Sequence, residues 1–157
     1  MDLNLLAVLL LTPLPIMGAV AIYAWQQRSQ QGPRLLLALM IVGCMMTVAY
    51  VGDLFGQTLQ VKLLWLNLWY FSSNLIAPLL FLLALWHVGQ DQWLTPKRMA
   101  LVFAPVALIL LLFYTNELHH QFYVSFGLDA STAPPLRTSV RGPLYCCLLY
   151  TSPSTRD

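Results

Sequence analysis

Four stretches of the chain are apolar for long enough to cross a bilayer, and short polar connectors separate them. The first runs from about Leu3 to Trp25 without a charge, the second from about Arg34 to Leu54, the third from about Leu63 to Val88 and the fourth from about Met99 to Tyr114. A hydrocarbon core of ~30 Å needs about 20 helical residues, with a range of roughly 17–25, so all four fit and the fourth sits near the lower limit. Pro13 and Pro15 should bend the first stretch, which a bundle tolerates when neighbours satisfy the freed carbonyls. The connectors are Gln26–Pro33, Phe55–Lys62 and Gly89–Arg98. After Tyr114 the pattern changes: residues 116–145 are mixed in character, carry Pro134, Pro135, Gly127 and Gly142, and lack a spanning run. They read as a loop outside the bilayer. The pattern predicts an all-α membrane protein with four transmembrane helices.

Composition agrees. Of 157 residues 59% are hydrophobic and 9% charged, and mean hydropathy is +0.68. Soluble domains carry about 25% charge, so this chain has too little polar surface to cover a globule in water. The net charge of +2 gives no footprint for nucleic acid. Cys44 lies in an apolar stretch, where a thiol behaves as a small hydrophobe. Cys146 and Cys147 are adjacent, and no metal-type or disulfide spacing occurs. Reading the first stretch as a signal peptide cleaved after Ala19-Val20-Ala21 requires a positively charged start, whereas the only early charge is Asp2.

The few charges set the orientation. Lys and Arg concentrate in cytoplasmic loops. Arg28 and Arg34 flank the first connector and Lys97 and Arg98 the third, against Lys62 alone in the second. The N-terminus is therefore expected outside, the first and third connectors inside, and the long loop outside. Trp65 and Trp69 near one end of the third stretch, with Trp86 and Trp93 near the other, fit interfacial belts, and Trp25 marks the inner end of the first.

Polar chemistry gathers in the third stretch. Asn67, Tyr70, Ser73, Asn74 and Pro78 recur at intervals of three and four, so most share one helix face. Facing lipid would be expensive. That face either lines a small-ligand pocket or hydrogen-bonds between helices, a contact worth about 1 kcal/mol. Asp53, at the end of the second stretch, either pairs with Lys62 or is solvated. Glu117, His119 and His120 cluster beyond the fourth stretch, but adjacent histidines point apart and three such residues do not make a metal site. His87 reads as interfacial. No catalytic constellation, P-loop, nucleotide loop or nucleophile elbow is present, no acidic pair lies inside a span, and no cofactor is expected.

The order of features resembles a known family. Lys62-Leu-Leu-Trp65, Asn67-Leu-Trp-Tyr70 and Ile76-Ala-Pro-Leu-Leu80, followed by Trp93-Leu-Thr95, Pro105, Thr115-Asn-Glu-Leu-His-His120 and Gly142-Pro-Leu-Tyr145, resemble the N-terminal seven-helix sensor region of bacterial histidine kinases. The resemblance covers residues 1–145 and implies the front of an incomplete seven-helix bundle in the bacterial cytoplasmic membrane. An odd number of helices starting outside ends inside, where ATP is, in agreement with the charge count. It further implies a cytoplasmic output module, a homodimer formed through that module, and an unidentified small-molecule or membrane signal read by helix repacking. The family supplies no catalytic residue here, so this stretch is expected to bind and not to phosphorylate. Beyond Tyr145, where a fifth helix should begin, Cys146-Cys-Leu-Leu-Tyr-Thr-Ser-Pro-Ser-Thr-Arg-Asp157 resembles a translated sequencing adapter and is expected to be artefactual. The alternatives are the front end of a diguanylate cyclase, or a complete small four-helix membrane protein such as a transporter subunit or assembly factor.

Overall fold

The computed structural model describes residues 3–90, 92, 94–116, 123–129 and 136–141. Among the described residues five helices and one β-hairpin follow in chain order: α1 Leu3–Leu11, α2 Pro13–Gln26, α3 Gln31–Phe55, α4 Leu59–His87, α5 Pro96–Tyr114, β1 Tyr123–Asp129 and β2 Leu136–Arg141. Among the described residues four stretches are long and apolar enough to cross a membrane: Leu5–Gln26, Gln31–Phe55, Leu59–His87 and Pro96–Tyr114. The all-α membrane architecture expected from the hydrophobic pattern therefore holds for the spanning part.

The first span is interrupted at Thr12, for a local reason. Pro13 has no N–H, so the Leu9 carbonyl loses its helical donor. The Thr12 hydroxyl replaces it, donating to the Leu9 oxygen at 2.6 Å. Thr12 itself keeps helical angles, φ −57° and ψ −34°, and donates its N–H to the Val8 carbonyl at 3.1 Å. The span therefore continues through the interruption with its freed carbonyl satisfied.

Start and stop signals bracket the other helices. Gly32 and Pro33 fall in the first turn of α3, where a missing N–H is harmless. Thr58 caps α4, its hydroxyl accepting the Val61 N–H at 3.4 Å. At the far end of α4, Gly89 takes φ +76°, its N–H donates to the Trp86 carbonyl and the Gln90 N–H donates to the Leu85 carbonyl. This is the Schellman pattern, which needs a left-handed residue just past the helix. Pro96 opens α5. That start three residues before Met99 lengthens the fourth span to 19 residues.

Packing is centred on the α3–α4 pair, with α2 against α3 and only light contact between α5 and α4. One apolar cluster joins Leu35 and Val42 of α3, Leu79 and Leu82 of α4, and Leu94, with Met99, Val102 and Phe103 against it. A smaller one joins Leu66 and Phe113. Large side chains such as Ile16, Leu101 and Leu108 are exposed, as expected where lipid takes the place of water.

Glycine lets α3 and α4 approach closely at both ends. A Cβ on Gly32 would overlap the Trp86 indole, and one on Gly52 the Trp65 indole. Each indole thus occupies the notch left by a glycine, and the antiparallel pairing puts these notches at opposite ends of the hairpin. Gly43 similarly receives the tip of Met17 from α2.

Beyond α5, within the stretch expected to be a loop, β1 and β2 pair antiparallel with Phe126 opposite Ser139 and Asp129 opposite Leu136, and with a bulge between Tyr123 and Ser125. Expectations about Glu117, His119, His120, Trp93, Cys146, Cys147 and the rest of the tail lie outside the described residues.

Candidate functional site

The four polar residues of α4 divide between two environments. Ser73 donates its hydroxyl to the Tyr70 carbonyl at 3.2 Å, and the Asn74 amide donates to the same oxygen at 2.8 Å. Ser72, which is buried, donates to Leu68 at 2.8 Å. These side chains bond back to their own helix one turn earlier, the pattern by which Ser and Asn hide polar groups in lipid without a partner helix. The Asn74 carbonyl is the one that Pro78 cannot reach with an N–H, so hydrogen bonding along this turn is locally rearranged.

Asn67 and Tyr70 instead meet α5. Tyr70 stacks on Phe113, with centroids 4.2 Å apart and planes 10° apart. The Tyr114 hydroxyl donates to the Asn67 carbonyl at 3.2 Å. Asn67 is exposed and lines an open groove of about 560 Å³ with Gln60, Leu63, Leu64, Leu68, Phe71 and Tyr114. The structure thus brings Asn67 to a groove and Tyr70 to its neighbouring stack, while Ser73 and Asn74 lie outside the groove lining. Spacing on a helix face reports a shared side but does not reveal whether each group bonds inward to its own backbone.

An aromatic series links the helices. Trp69 meets Tyr70 edge-on at 5.6 Å and 77°, Tyr70 stacks on Phe113, and Phe113 meets Tyr114 edge-on at 5.5 Å. Such pairs are worth about 0.5–1.5 kcal/mol beyond the area they bury. The Tyr70–Phe113 stack joins α5 to α4 at this end, while Met99, Val102 and Phe103 pack α5 on the larger cluster at the other.

At the same end, Lys62 is only 3% exposed and its ammonium donates to the Asp53 backbone carbonyl at 2.6 Å. That carbonyl lies in the last turn of α3, where carbonyls lack helical donors and the helix dipole is negative. Lys62 thus meets Asp53 through its backbone oxygen, as a charged cap on the helix end, a contact that neither arrangement expected from the sequence included. At the opposite end, the Gly32–Trp86 contact places the α2–α3 and α4–α5 connectors at the same end of the bundle. There the Arg34 Nε donates to the Arg28 carbonyl at 2.5 Å, Arg98 donates to the Gln92 carbonyl at 2.8 Å, and the Arg28 guanidinium lies 4.2 Å over the Trp25 ring. With Lys97 in the first turn of α5, Arg28, Arg34 and Arg98 thus put four basic residues at one end of the bundle. Among the described residues no three of His, Cys, Asp and Glu gather closely enough to hold a metal ion.

A family model described as the N-terminal 7TM region of histidine kinase matches residues 9–152, running past Tyr145 into the adapter-like tail. No curated protein and no solved structure matches the chain.

Proposed function

We propose that this chain, which belongs to the family of N-terminal 7TM regions of histidine kinases, forms the first four helices of a membrane sensor that controls a cytoplasmic kinase module. The observation that carries the reading is the contrast between a tightly keyed α3–α4 pair and an α5 in only light contact with α4, which packs Met99, Val102 and Phe103 on the main cluster at one end and makes the Tyr70–Phe113 stack and the Tyr114–Asn67 bond at the other. A sensor of this kind needs a fixed body and an element with two accessible packings, and a ligand shifts the balance only by its differential affinity for them. The face carrying Asn67, Tyr70, Ser73 and Asn74 is the signal-contacting surface, with Asn67 as the residue open to the groove. The chain's own contribution is binding and transmission; phosphorylation belongs to the module that follows in the parent, which dimerises through it.

The protein sits in the bacterial cytoplasmic membrane with its N-terminus outside. The gathering of Arg28, Arg34, Lys97 and Arg98 at one end of the bundle supports that orientation, since cytoplasmic loops carry the basic excess. Lys62, engaged on a carbonyl at the other end, weighs little against them.

Sequencing the locus past the codon for Tyr145 tests the reading. Three further spans leading in frame to a kinase module are expected. A stop directly after four spans, or a cyclase module in place of the kinase, refutes it. In the full-length parent, Asn67→Leu should change signal-dependent autophosphorylation and Ala77→Leu, exposed on the same helix, should not. Equal responses would remove Asn67 from the signal site.

A further inference from the structure

We propose that a second concavity, between the α3 C-terminus and the α4 N-terminal half, is a binding site for a trimethylammonium group. A cavity of about 130 Å³ is lined by Ala49, Tyr50, Asp53, Trp65, Leu66 and Trp69. Three aromatic rings and one carboxylate residue thus border a space of small-headgroup size. Ala49 and Leu66 form a buried floor, while Tyr50 is 45% exposed, which leaves a side open to entry.

Interfacial belts account for tryptophans that lie at the headgroup level with their rings in lipid. They do not account for two indoles that border one cavity with the only acidic residue between positions 3 and 90. The rings are also braced. Trp65 is seated in the Gly52 notch, and Trp69 meets Tyr70 edge-on, so little ordering remains to be done when a guest enters. Aromatic faces attract cations through their quadrupole, and cages of such rings recognise quaternary ammonium.

The charge balance narrows the ligand class. Lys62 holds its ammonium on the Asp53 backbone carbonyl, which offsets part of the negative potential of Asp53. Small cations, which lose much hydration energy on burial, gain too little here. A bulky, weakly hydrated cation gives up less water and meets the rings over a larger area. The site should therefore prefer quaternary ammonium to potassium or a primary amine. A soluble solute or a choline-type lipid headgroup could supply that group.

The site stands independently of the sensor reading and is tested on the full 157-residue chain in a maltoside detergent. Titration calorimetry with tetramethylammonium chloride should give saturable binding that potassium chloride at equal concentration does not displace. Trp69→Leu and Asp53→Asn should each weaken it, by about three- to thirtyfold for loss of one ring, with helicity and elution volume unchanged. If Asp53→Asn does not fold, Trp69→Leu carries the test. Reconstitution in phosphatidylcholine nanodiscs that suppresses the titration, while phosphatidylglycerol nanodiscs do not, assigns the group to lipid; saturable binding in both assigns it to a solute. Absence of saturable binding in detergent, full displacement by potassium, or unchanged affinity in the folded variants overturns the proposal.

Discussion

Gly52→Ala is the sharpest perturbation of the fold. A methyl group there would overlap three carbons of the Trp65 indole. The indole is a rigid plane seated between helices, so either α3 and α4 separate or Trp65 leaves its rotamer. Overpacking of this kind costs about 1–3 kcal/mol. Ala gains roughly 0.5–1 kcal/mol over Gly from helix propensity, which leaves a net change of about 0–2.5 kcal/mol on the destabilising side. Gly18 in α2 is the control, because a Cβ there meets nothing within 4 Å, and Gly18→Ala should gain the propensity term alone. Equilibrium unfolding in mixed micelles with increasing SDS, followed by helicity, reads both. The double variant Gly52→Ala with Trp65→Leu should recover most of the loss, because the clashing plane is gone. Equal shifts for Gly52→Ala and Gly18→Ala, or additivity in the double variant, would refute the notch.

Thr12→Val should destabilise the first span by about 1 kcal/mol, because the Leu9 carbonyl loses its replacement donor; adding Pro13→Ala, which restores an N–H, should reverse the loss in the same unfolding assay. Lys62→Met should cost about 1.5–3 kcal/mol, the range for hydrogen bonds to charged groups, since the α3 end loses its cap; an unchanged midpoint would mean that the cap contributes nothing. Alkaline phosphatase fused after Trp93 should be inactive and fused after Gly127 active, and the reverse pattern would invert the orientation.

The spans were legible because lipid imposes one simple rule on composition over about 20 residues. Their ends were less so. Gln31, Gly32 and Pro33 look like connector residues, yet the first helical turn accepts all three, and Thr95 and Pro96 open α5 before its apolar run begins. The hairpin is masked in the sequence because prolines and glycines dominate the impression of residues 116–145, while the alternation of β-branched Thr138 and Val140 about Ser139 is a short period-2 signal. In the candidate site, spacing put Asn67, Tyr70, Ser73 and Asn74 on one side of α4. It did not reveal that Ser73 and Asn74 would turn back to the Tyr70 carbonyl, because the same side chains could equally have crossed to a neighbour. The cavity bordered by Tyr50, Asp53, Trp65 and Trp69 unites residues from two helices, a juxtaposition that depends on their register. A hint of that register was present: Gly32 and Gly52 are separated by 20 positions and Trp65 and Trp86 by 21, intervals that match to within one residue on two antiparallel helices.

Those intervals correspond to ~30 Å of helix, the thickness of the hydrocarbon layer. The hairpin is therefore latched near both faces of the membrane, and a one-turn slip of α3 along α4 requires both indoles to withdraw at once. Such a pair behaves as a strut of fixed length. In a thinner bilayer it would tilt as a unit, since neither latch can travel alone, and its tilt would be passed to α5 through the Tyr70–Phe113 stack. Membrane thickness would then reach α5 as a change of angle, with no change in the hairpin's own packing.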